Sequence, residues 1–500
     1  MIALAGCGRL GFDDVPVVPL TDANGHPACA DPASMAACDD NDPCTVDDRC
    51  VQGVCGAGPA TGCAAATRDI FRSAGTDIAA LASGTGSLAI SGTTAAFVTA
   101  LPGRVGVGDV IEYDANGDGL RDSLAFIHGR LSATVYQVRD LAGATPTSTA
   151  TATTSWAVFR AYGSLADVVD RNVGGTRNPS ITASTFDGYA GGRDLVAANE
   201  RLHVACYDDG LDSTAVQICD TSFTRSCATN ESWTTDASHY LRIYTPVAAT
   251  EVGTSQRHTG TPAGGYRRTN GLIMYQGYVR IDGLSLLRST AGIGRSYYVE
   301  TQGTGGEIWI SNSFGWNSIS GASKVYDIWD ANMTPAGNTY TVFKLWNDIA
   351  YNETLDDPRS GFYINSDRAE AYIYACTSYV RGGGAFAQAS LSRATLKNSV
   401  GVSTLNPAFI TDNNFELVAS SAANDASIAS LVNGTNNAAN VAVMFRDPAG
   451  IDFHLDPNEG ALRGSGLDLS SDAALSFSTD IDGDPRPAGA WDIGADQVTP

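Results

Sequence analysis

The chain has 500 residues, 43% of them hydrophobic, and a formal net charge of −23 from 54 acidic and 31 basic residues. Such a length allows two to four domains, although an elongated solenoid can take up most of it in one. A surface this acidic repels phosphates and anionic lipid head groups, which excludes nucleic acid and membrane surfaces as main partners. Because no run of 18 apolar residues occurs, the sequence predicts no transmembrane span.

The first residues contain a candidate lipid-anchor motif. Leu4-Ala5-Gly6-Cys7 resembles a bacterial lipobox, whose cysteine is lipidated after the signal is cleaved. The charged and long apolar parts of a signal peptide are missing, so either the start lies further upstream or the match is accidental. On the first alternative, residues 1–28 are a truncated lipoprotein signal and a tether, and Cys7 carries the lipid.

Residues 29–66 are a cysteine-rich module with almost no apolar residue for a core. Its six cysteines are Cys29, Cys38, Cys44, Cys50, Cys55 and Cys63. Such a segment needs cross-links, and we expect three disulfides whose pairing the sequence does not fix. Zinc is the alternative, but CxxC pairs are absent. The pattern C-D-D-N-D-P-C-T-V-D-D-R-C resembles short repeats in surface proteins of myxobacteria, which agrees with an oxidising compartment.

Residues 67–169 are predicted to be a β-rich N-terminal part that either caps a solenoid or forms its first turns. Strand patterns and turns alternate along it. The expected strands are Ser87–Ile90, Val110–Tyr113, Leu124–Ile127, Val135–Val138 and Trp156–Phe159.

A nine-residue loop in this part has the spacing of a calcium site. Its oxygen donors would be the side chains of Asp114, Asn116, Asp118 and Asp122 and the carbonyl of Leu120. The glutamate that completes an EF-hand loop is missing, and the flanks are strands. The sequence therefore leaves two alternatives, a structural Ca²⁺ site or a polar hairpin turn built on Asn-Gly and Asp-Gly.

Residues 170–440 are predicted to be a parallel β-helix. Cys219 and Cys227 bracket a polar loop and are predicted to form a disulfide, which leaves Cys206 and Cys376 as buried thiols in strands. The polar cluster Thr254–His258 is either a site or a loop bonded to its own backbone.

A short repeated pattern between Leu272 and Val400 predicts this fold. Five copies share the form apolar, any, small or amide, any, apolar or small. They begin at Ile281, Ile310, Leu345, Tyr374 and Leu396, with spacings of 29, 35, 29 and 22 residues. Repeats on this scale indicate a solenoid, and alternation within each copy indicates a strand. We expect the central Asn312, Asn347 and Asn398 to stack inside, each amide bonded to its neighbours. An antiparallel sandwich is the alternative.

Four of the seven tryptophans lie close together in sequence: Trp309, Trp316, Trp329 and Trp346. Exposed aromatic side chains on a solenoid flank stack well against sugar rings. The alternative is that a long loop covers them. The first alternative predicts a ligand-binding surface for glycans or other cell-surface components.

Residues 441–500 are expected to end and cap the β-helix. The pattern D-x-D-G-x-P-R-P from Asp480 to Pro487 is followed by Asp-Ile-Gly-Ala at 492–495. This end resembles that of secreted bacterial proteins of the right-handed parallel β-helix superfamily. The resemblance covers residues 444–496 and implies the architecture but no activity. Asp480, Asp482 and Asp484 would form either a cation site or a salt-bridged cap.

The fold class expected is thus all-β, a right-handed parallel β-helix preceded by a β-rich part and a disulfide-rich segment. Enzyme signatures are weak: Asp208-Asp209 is the only adjacent acidic pair at the start of the solenoid, and Gly-His-Gly, Arg-x-Lys, P-loop and zinc patterns are absent. We therefore expect a non-catalytic extracellular or outer-membrane surface protein that serves adhesion, envelope structure or glycan binding. A polysaccharide lyase or glycoside hydrolase is the alternative.

Overall fold

The computed structural model describes the chain in segments. These are 49–51, 54–56, 66–84, 86–170, 176–183, 192–219, 232–288, 295–301, 306–319, 324–330, 340–354, 361–365, 369–381, 384–388, 393–403, 426–427 and 443–498. The chain divides into two compact units, Met1–Thr67 and Arg68–Pro500. In the first unit, strand β1 (Arg49–Val51) pairs antiparallel with β2 (Val54–Gly56). Among the described residues, no helix is long and apolar enough to cross a membrane.

The second unit is built on three sheets whose strands are parallel from coil to coil, here called sheets 1, 2 and 3. Strands are numbered in chain order. Sheet 1 contains β3 (Arg68–Ala74), β11 (Glu200–Cys206), β14 (Leu241–Tyr244), β17 (Val279–Asp282), β20 (Gly306–Ser311), β23 (Thr341–Trp346), β26 (Ala369–Tyr374), β29 (Arg393–Lys397) and an antiparallel edge strand, β31 (Ala426–Ser427). Sheet 2 contains β12 (Leu211–Asp212), β15 (Arg267–Arg268), β18 (Ser285–Arg288), β21 (Phe314–Asn317), β24 (Ile349–Asn352), β27 (Thr377–Val380) and β30 (Val400–Ser403). Sheet 3 contains β13 (Val216–Ile218), β16 (Leu272–Met274), β19 (Arg295–Thr301), β22 (Lys324–Asp330), β25 (Phe362–Ile364) and β28 (Phe386–Gln388).

Each coil visits the three sheets in turn, and each strand pairs with the strand one coil later, so the predicted parallel β-helix is confirmed. Side chains alternate along a strand, so every second residue enters the interior. In sheet 3, Tyr297, Tyr326, Phe362 and Phe386 stack with ring-centre distances of 4.6, 4.4 and 5.1 Å. These distances match the spacing of paired strands, about 4.8 Å, so the rings fill the interior one per coil.

The repeated pattern is not one strand, and that expectation is wrong. Each copy ends a sheet 1 strand, turns through two residues and starts a sheet 2 strand. The turn residues Asn312, Asn347 and Asn398 have φ of 48°, 54° and 50°. Asparagine tolerates this left-handed conformation better than most residues, which explains why the pattern needs it there.

The predicted stack of asparagine amides exists for one pair. The side-chain amide of Asn347 donates to the side-chain oxygen of Asn312 at 3.0 Å. Asn398 instead exchanges hydrogen bonds with the backbone of Leu467, and Ala375 takes the turn position between Asn347 and Asn398. Asn347 and Asn398 bond to the C-terminal segment (443–498), so the expected continuous interior stack is wrong.

The strand register also shifts the fourth copy by one residue. Leu345 pairs with Ile373, so that copy begins at Ile373 and not at Tyr374. The second residue of each turn is fully buried, and Ser313, Asp348, Cys376 and Ser399 occupy this position in successive coils. The backbone N–H of Ser313 donates to the Asp348 carboxyl at 2.9 Å, and that of Cys376 donates to the Ser399 hydroxyl at 3.1 Å.

Strand β3 belongs to sheet 1, because it pairs in parallel with β11, whereas the following strands form a separate antiparallel sheet. This sheet contains β4 (Ala82–Ser83), β5 (Leu88–Ser91), β6 (Thr94–Phe97), β7 (Val110–Tyr113), β8 (Ser123–Arg130), β9 (Val135–Arg139) and β10 (Trp156–Phe159). All five strands expected in this part are present, and they enclose their own core. Helix α1 (Leu165–Val169) buries four residues against the first coil, and the short helix α2 (Leu195–Ala198) leads into β11.

The C-terminal segment packs along the outer face of sheet 2. It contains β32 (Phe445–Asp447), a 3₁₀ turn (Pro448–Gly450) and β33 (Asp452–Leu455). Phe453, Leu455 and Ile493 form one cluster with Phe314 and Ile349 of the solenoid. This packing covers apolar side chains that sheet 2 would otherwise expose to water.

Candidate functional site

The outward face of sheet 1 carries a column of aromatic and cationic side chains. The strand register places one residue per coil at the same level. In coil order they are His203, Arg242, Arg280, Trp309, Lys344 and Tyr372. Their neighbours along each strand point inward and form the core, so strand alternation alone brings six distant residues into line.

Part of this column lines a groove of about 280 Å³. The polar and aromatic residues around it are His203, Tyr240, Arg242, Arg280, Asp282, Trp309, Ser311 and Trp346. The rings of Trp309 and Trp346 meet edge to face, 6.1 Å apart. Rings and charged groups in one shallow groove are the composition that carbohydrate recognition requires, since sugars present apolar ring faces and polar edges.

Arg280 is the central group of this groove. Its guanidinium lies over the Tyr240 ring at 3.5 Å and over the Trp309 ring at 4.0 Å. No ion pair to Arg280 is found within the described part of the chain, and burial lowers its pKa from the ordinary value. A half-buried cation between two rings, without a carboxylate partner, is well placed to receive an anionic group.

Asp282 fixes the base of the groove. Its carboxylate accepts from Arg257 at 2.6 Å and from the side-chain amide of Asn312 at 2.7 Å, and Arg242 lies 3.5 Å away. Burial acts to raise the pKa of Asp282, but Arg257 and Arg242 hold it below its ordinary value. Arg257 belongs to the polar cluster 254–258, so that loop holds Asp282 in place and also forms bonds within itself.

His203 lies at one end of the groove and is oriented by Asp69. Its Nε2 lies 2.7 Å from the Asp69 carboxylate, and its ring stacks on Phe71 at 4.6 Å. Nδ1 makes no hydrogen bond, although the residue is 7% exposed. Burial lowers the pKa of His203 and outweighs the opposite effect of Asp69, so the ring is neutral at neutral pH.

The four tryptophans lie on three different sheets. Trp309 and Trp346 share the groove of sheet 1. Trp316 lies on sheet 2, where it stacks on Tyr351 and packs against the C-terminal cluster. Trp329 lies on sheet 3 against a separate apolar cluster. Of the four tryptophans, Trp309 and Trp346 therefore share one surface, and Trp316 and Trp329 do not belong to it.

The candidate calcium loop joins β7 to β8, as expected. The Asp114 carboxylate accepts the backbone N–H of Gly117 at 2.7 Å. The side-chain amide of Asn116 donates to Asp118 at 3.1 Å and to Asp122 at 3.3 Å. The donors thus face one another, but the Asn116 amide group occupies the place that a cation would take between the carboxylates. Calcium binding here stays a prediction.

The bonding state is defined for three cysteines, Cys206, Cys219 and Cys376. Cys206 and Cys376 are free and buried, and Cys376 lies in the turn between β26 and β27 rather than in a strand. Cys219 is disulfide-bonded. Its predicted partner Cys227 lies outside the described residues, as do Cys7, Cys29, Cys38, Cys44 and Cys63 and the side chains of Cys50 and Cys55.

Comparison with known proteins gives no further assignment, because the chain matches no family model, no curated protein and no solved structure. The groove residues His203, Arg242 and Arg280 were not singled out from the sequence. They are spaced 39 and 38 residues apart (242 − 203 and 280 − 242). A search for outward positions in a fixed register would have found them, once the coils had been aligned on their interior residues.

Proposed function

We propose that the groove on sheet 1 binds a glycan chain that carries carboxylate groups, and that the protein serves in adhesion or envelope structure at the cell surface. The unpaired guanidinium of Arg280 between Tyr240 and Trp309 carries this proposal. Planar guanidinium groups bind carboxylates through two parallel hydrogen bonds, and the tryptophan rings supply faces for the sugar.

The charge around the groove supports an acidic ligand despite the net charge of the chain. The groove itself is lined by two arginines, Arg242 and Arg280, and by one carboxylate, that of Asp282. The local excess of one positive charge (2 − 1) attracts an anion at short range, because salt screens the more distant acidic surface beyond about 8 Å.

A surface location is part of the same proposal. The disulfide at Cys219 supports folding in an oxidising compartment. The proposed anchor and most of the cysteine-rich module lie outside the described residues, so this part of the proposal is supported by the sequence pattern.

The proposal is tested by calorimetric titration with polygalacturonic acid, its methyl ester and dextran. We expect binding to the acid and a large loss with the ester, which keeps the sugar but removes the charge. Arg280→Gln and Trp309→Ala should each weaken binding at least tenfold, about 1.4 kcal/mol. Trp329→Ala on sheet 3 is the matched control. Equal affinity for acid and ester, or unchanged affinity in Arg280→Gln, contradicts the proposal.

Catalysis is a second candidate, favoured by His203. Its Nδ1 makes no hydrogen bond but is buried, so β-elimination, in which a base removes the proton next to a carboxylate, requires the ring to turn toward the groove and its two arginines. Incubation with acidic polymers should then release unsaturated products with ultraviolet absorbance, and His203→Ala should abolish them while binding persists. Binding without product assigns the groove to recognition.

A further inference from the structure

A second group of polar side chains lies where the C-terminal segment meets the loop 258–260. Ligand atoms of His454, Asp482 and Asp496 lie within 4.8 Å of one another. His454 and Asp496 are each 4% exposed, whereas Asp482 is open to solvent. The group therefore has two buried donors and one accessible donor, so an ion from solution can reach it.

The imidazole of His454 is held with one nitrogen toward the group. Its Nδ1 is hydrogen-bonded to the carboxylate of Asp452. Its Nε2 lies 2.9 Å from the Asp482 carboxylate. A carboxylate on the far ring nitrogen fixes the tautomer and the direction of a metal-binding histidine and raises its basicity, so Asp452 has the position of an outer partner.

Gly260 leaves the space beside Nε2 free. Its φ is +63°, and a Cβ at this position would lie 2.5 Å from His454 Nε2 and 3.5 Å from Asp482 Oδ1. Any other residue would therefore fill the space that both donors face. Gly260 thus has a left-handed backbone and no side chain at the place where an ion would bind.

His258 lies beside Gly260 on the buried side of the same loop. Its Nδ1 accepts from the Gly260 N–H at 3.1 Å, and it is 2% exposed. Burial lowers the pKa of this ring to about 3. Because Nδ1 accepts a hydrogen bond, the proton of the neutral ring is on Nε2, so His258 holds the Gly260 backbone in place and is not itself a ligand of the group.

We propose that His454, Asp482 and Asp496 bind a divalent transition-metal ion, with zinc as the preferred ion. One imidazole and two carboxylates suit zinc at three positions and leave a fourth for water or a further ligand. Calcium and magnesium prefer oxygen donors in larger number. On binding, the metal takes the place of the proton on His454 Nε2, which leaves to solvent. The ion joins β33 to the last residues of the chain across the face of sheet 2.

The test is calorimetric titration of the full chain with Zn²⁺ after dialysis against EDTA. The variants are Asp482→Asn, which changes an exposed side chain, and His454→Gln; the control is Asp484→Asn, an exposed carboxylate two residues along. We expect a saturable site in the wild type and in the control, and affinity reduced at least tenfold in both test variants. Circular dichroism verifies that each variant is folded.

The cysteine-rich module offers other zinc ligands, so the readout is the difference between Asp482→Asn and Asp484→Asn. Cobalt substitution separates the two sources, because thiolate ligands give intense charge-transfer bands and the proposed ligands do not. Absence of zinc binding, equal binding in Asp482→Asn and the control, or calcium binding as tight as zinc overturns the proposal. The first of these results leaves His454 as an imidazolium held by carboxylates.

Discussion

Asp348 provides the sharpest test of how the interior of the solenoid is arranged. It is fully buried, its Oδ1 accepts the backbone N–H of Ser313, and its Oδ2 makes no hydrogen bond. Burial raises the pKa of Asp348 well above its ordinary value, and no cation offsets this effect among the groups that act on it. The carboxyl therefore stays neutral in the folded protein over a pH range in which it is already ionised in the unfolded chain.

The stability that depends on this group is complete below the unfolded pKa, near 4, and decreases as pH rises toward the folded pKa. Each pH unit in that window costs about 1.4 kcal/mol. Within that window the free energy of unfolding should thus decrease with pH on account of Asp348 alone. Asp348→Asn keeps the shape and the acceptor for Ser313 but cannot ionise, so it should lose this decrease.

The assay is urea unfolding at pH 5, 6 and 7, followed by tryptophan fluorescence. The free-energy difference between Asp348→Asn and the wild type should grow by about 1.4 kcal/mol per pH unit in favour of the variant. Asp484→Asn, an exposed carboxylate, should run parallel to the wild type. Parallel pH profiles for Asp348→Asn and the wild type would refute the assignment of a neutral buried carboxyl.

Three further predictions concern the coils. Asn347→Ala loses the left-handed turn residue and its bond to Asn312, so the free energy of unfolding should decrease by about 2–4 kcal/mol, measured in urea; an unchanged midpoint contradicts the role of the turn. Phe362→Ala removes a ring between two stacked rings and should cost about 3–5 kcal/mol in the same assay. Burial raises the thiol pKa of Cys206 and Cys376, so a maleimide reagent should label them after unfolding and not before. Peptide mass spectrometry detects the label.

The sequence predicts the parallel β-helix because the interior residues recur once per coil. The positions of the turns within a coil could not be predicted in the same way. A strand and a strand–turn–strand segment give the same alternation of apolar residues over five positions, and asparagine suits both a buried amide stack and a left-handed turn. Asn312 and Asn347 have both roles at once, since their turn amides also bond to each other.

The groove could be predicted only in part. Trp309 and Trp346 are two of the four tryptophans proposed from the sequence as a binding surface, and the structure brings these two together. Arg280 and His203 were missed, because a lone arginine or histidine on an outward strand position is ordinary until the register places it beside other coils. Trp316 has the same local pattern as Trp309, but the C-terminal segment packs against it, and no local sequence signal reveals a contact made more than a hundred residues away.

The C-terminal segment changes how the whole repeat array should come apart. A bare solenoid is nearly one-dimensional, so its coils can detach from an end one after another. Here Arg486 donates to Asn347, 139 residues earlier, and Lys397 pairs with Asp472. The C-terminal segment therefore connects the coils that contain Asn347 and Lys397. When the chain is pulled mechanically from either terminus, these contacts must break before the coils between Asn347 and Lys397 can detach one at a time.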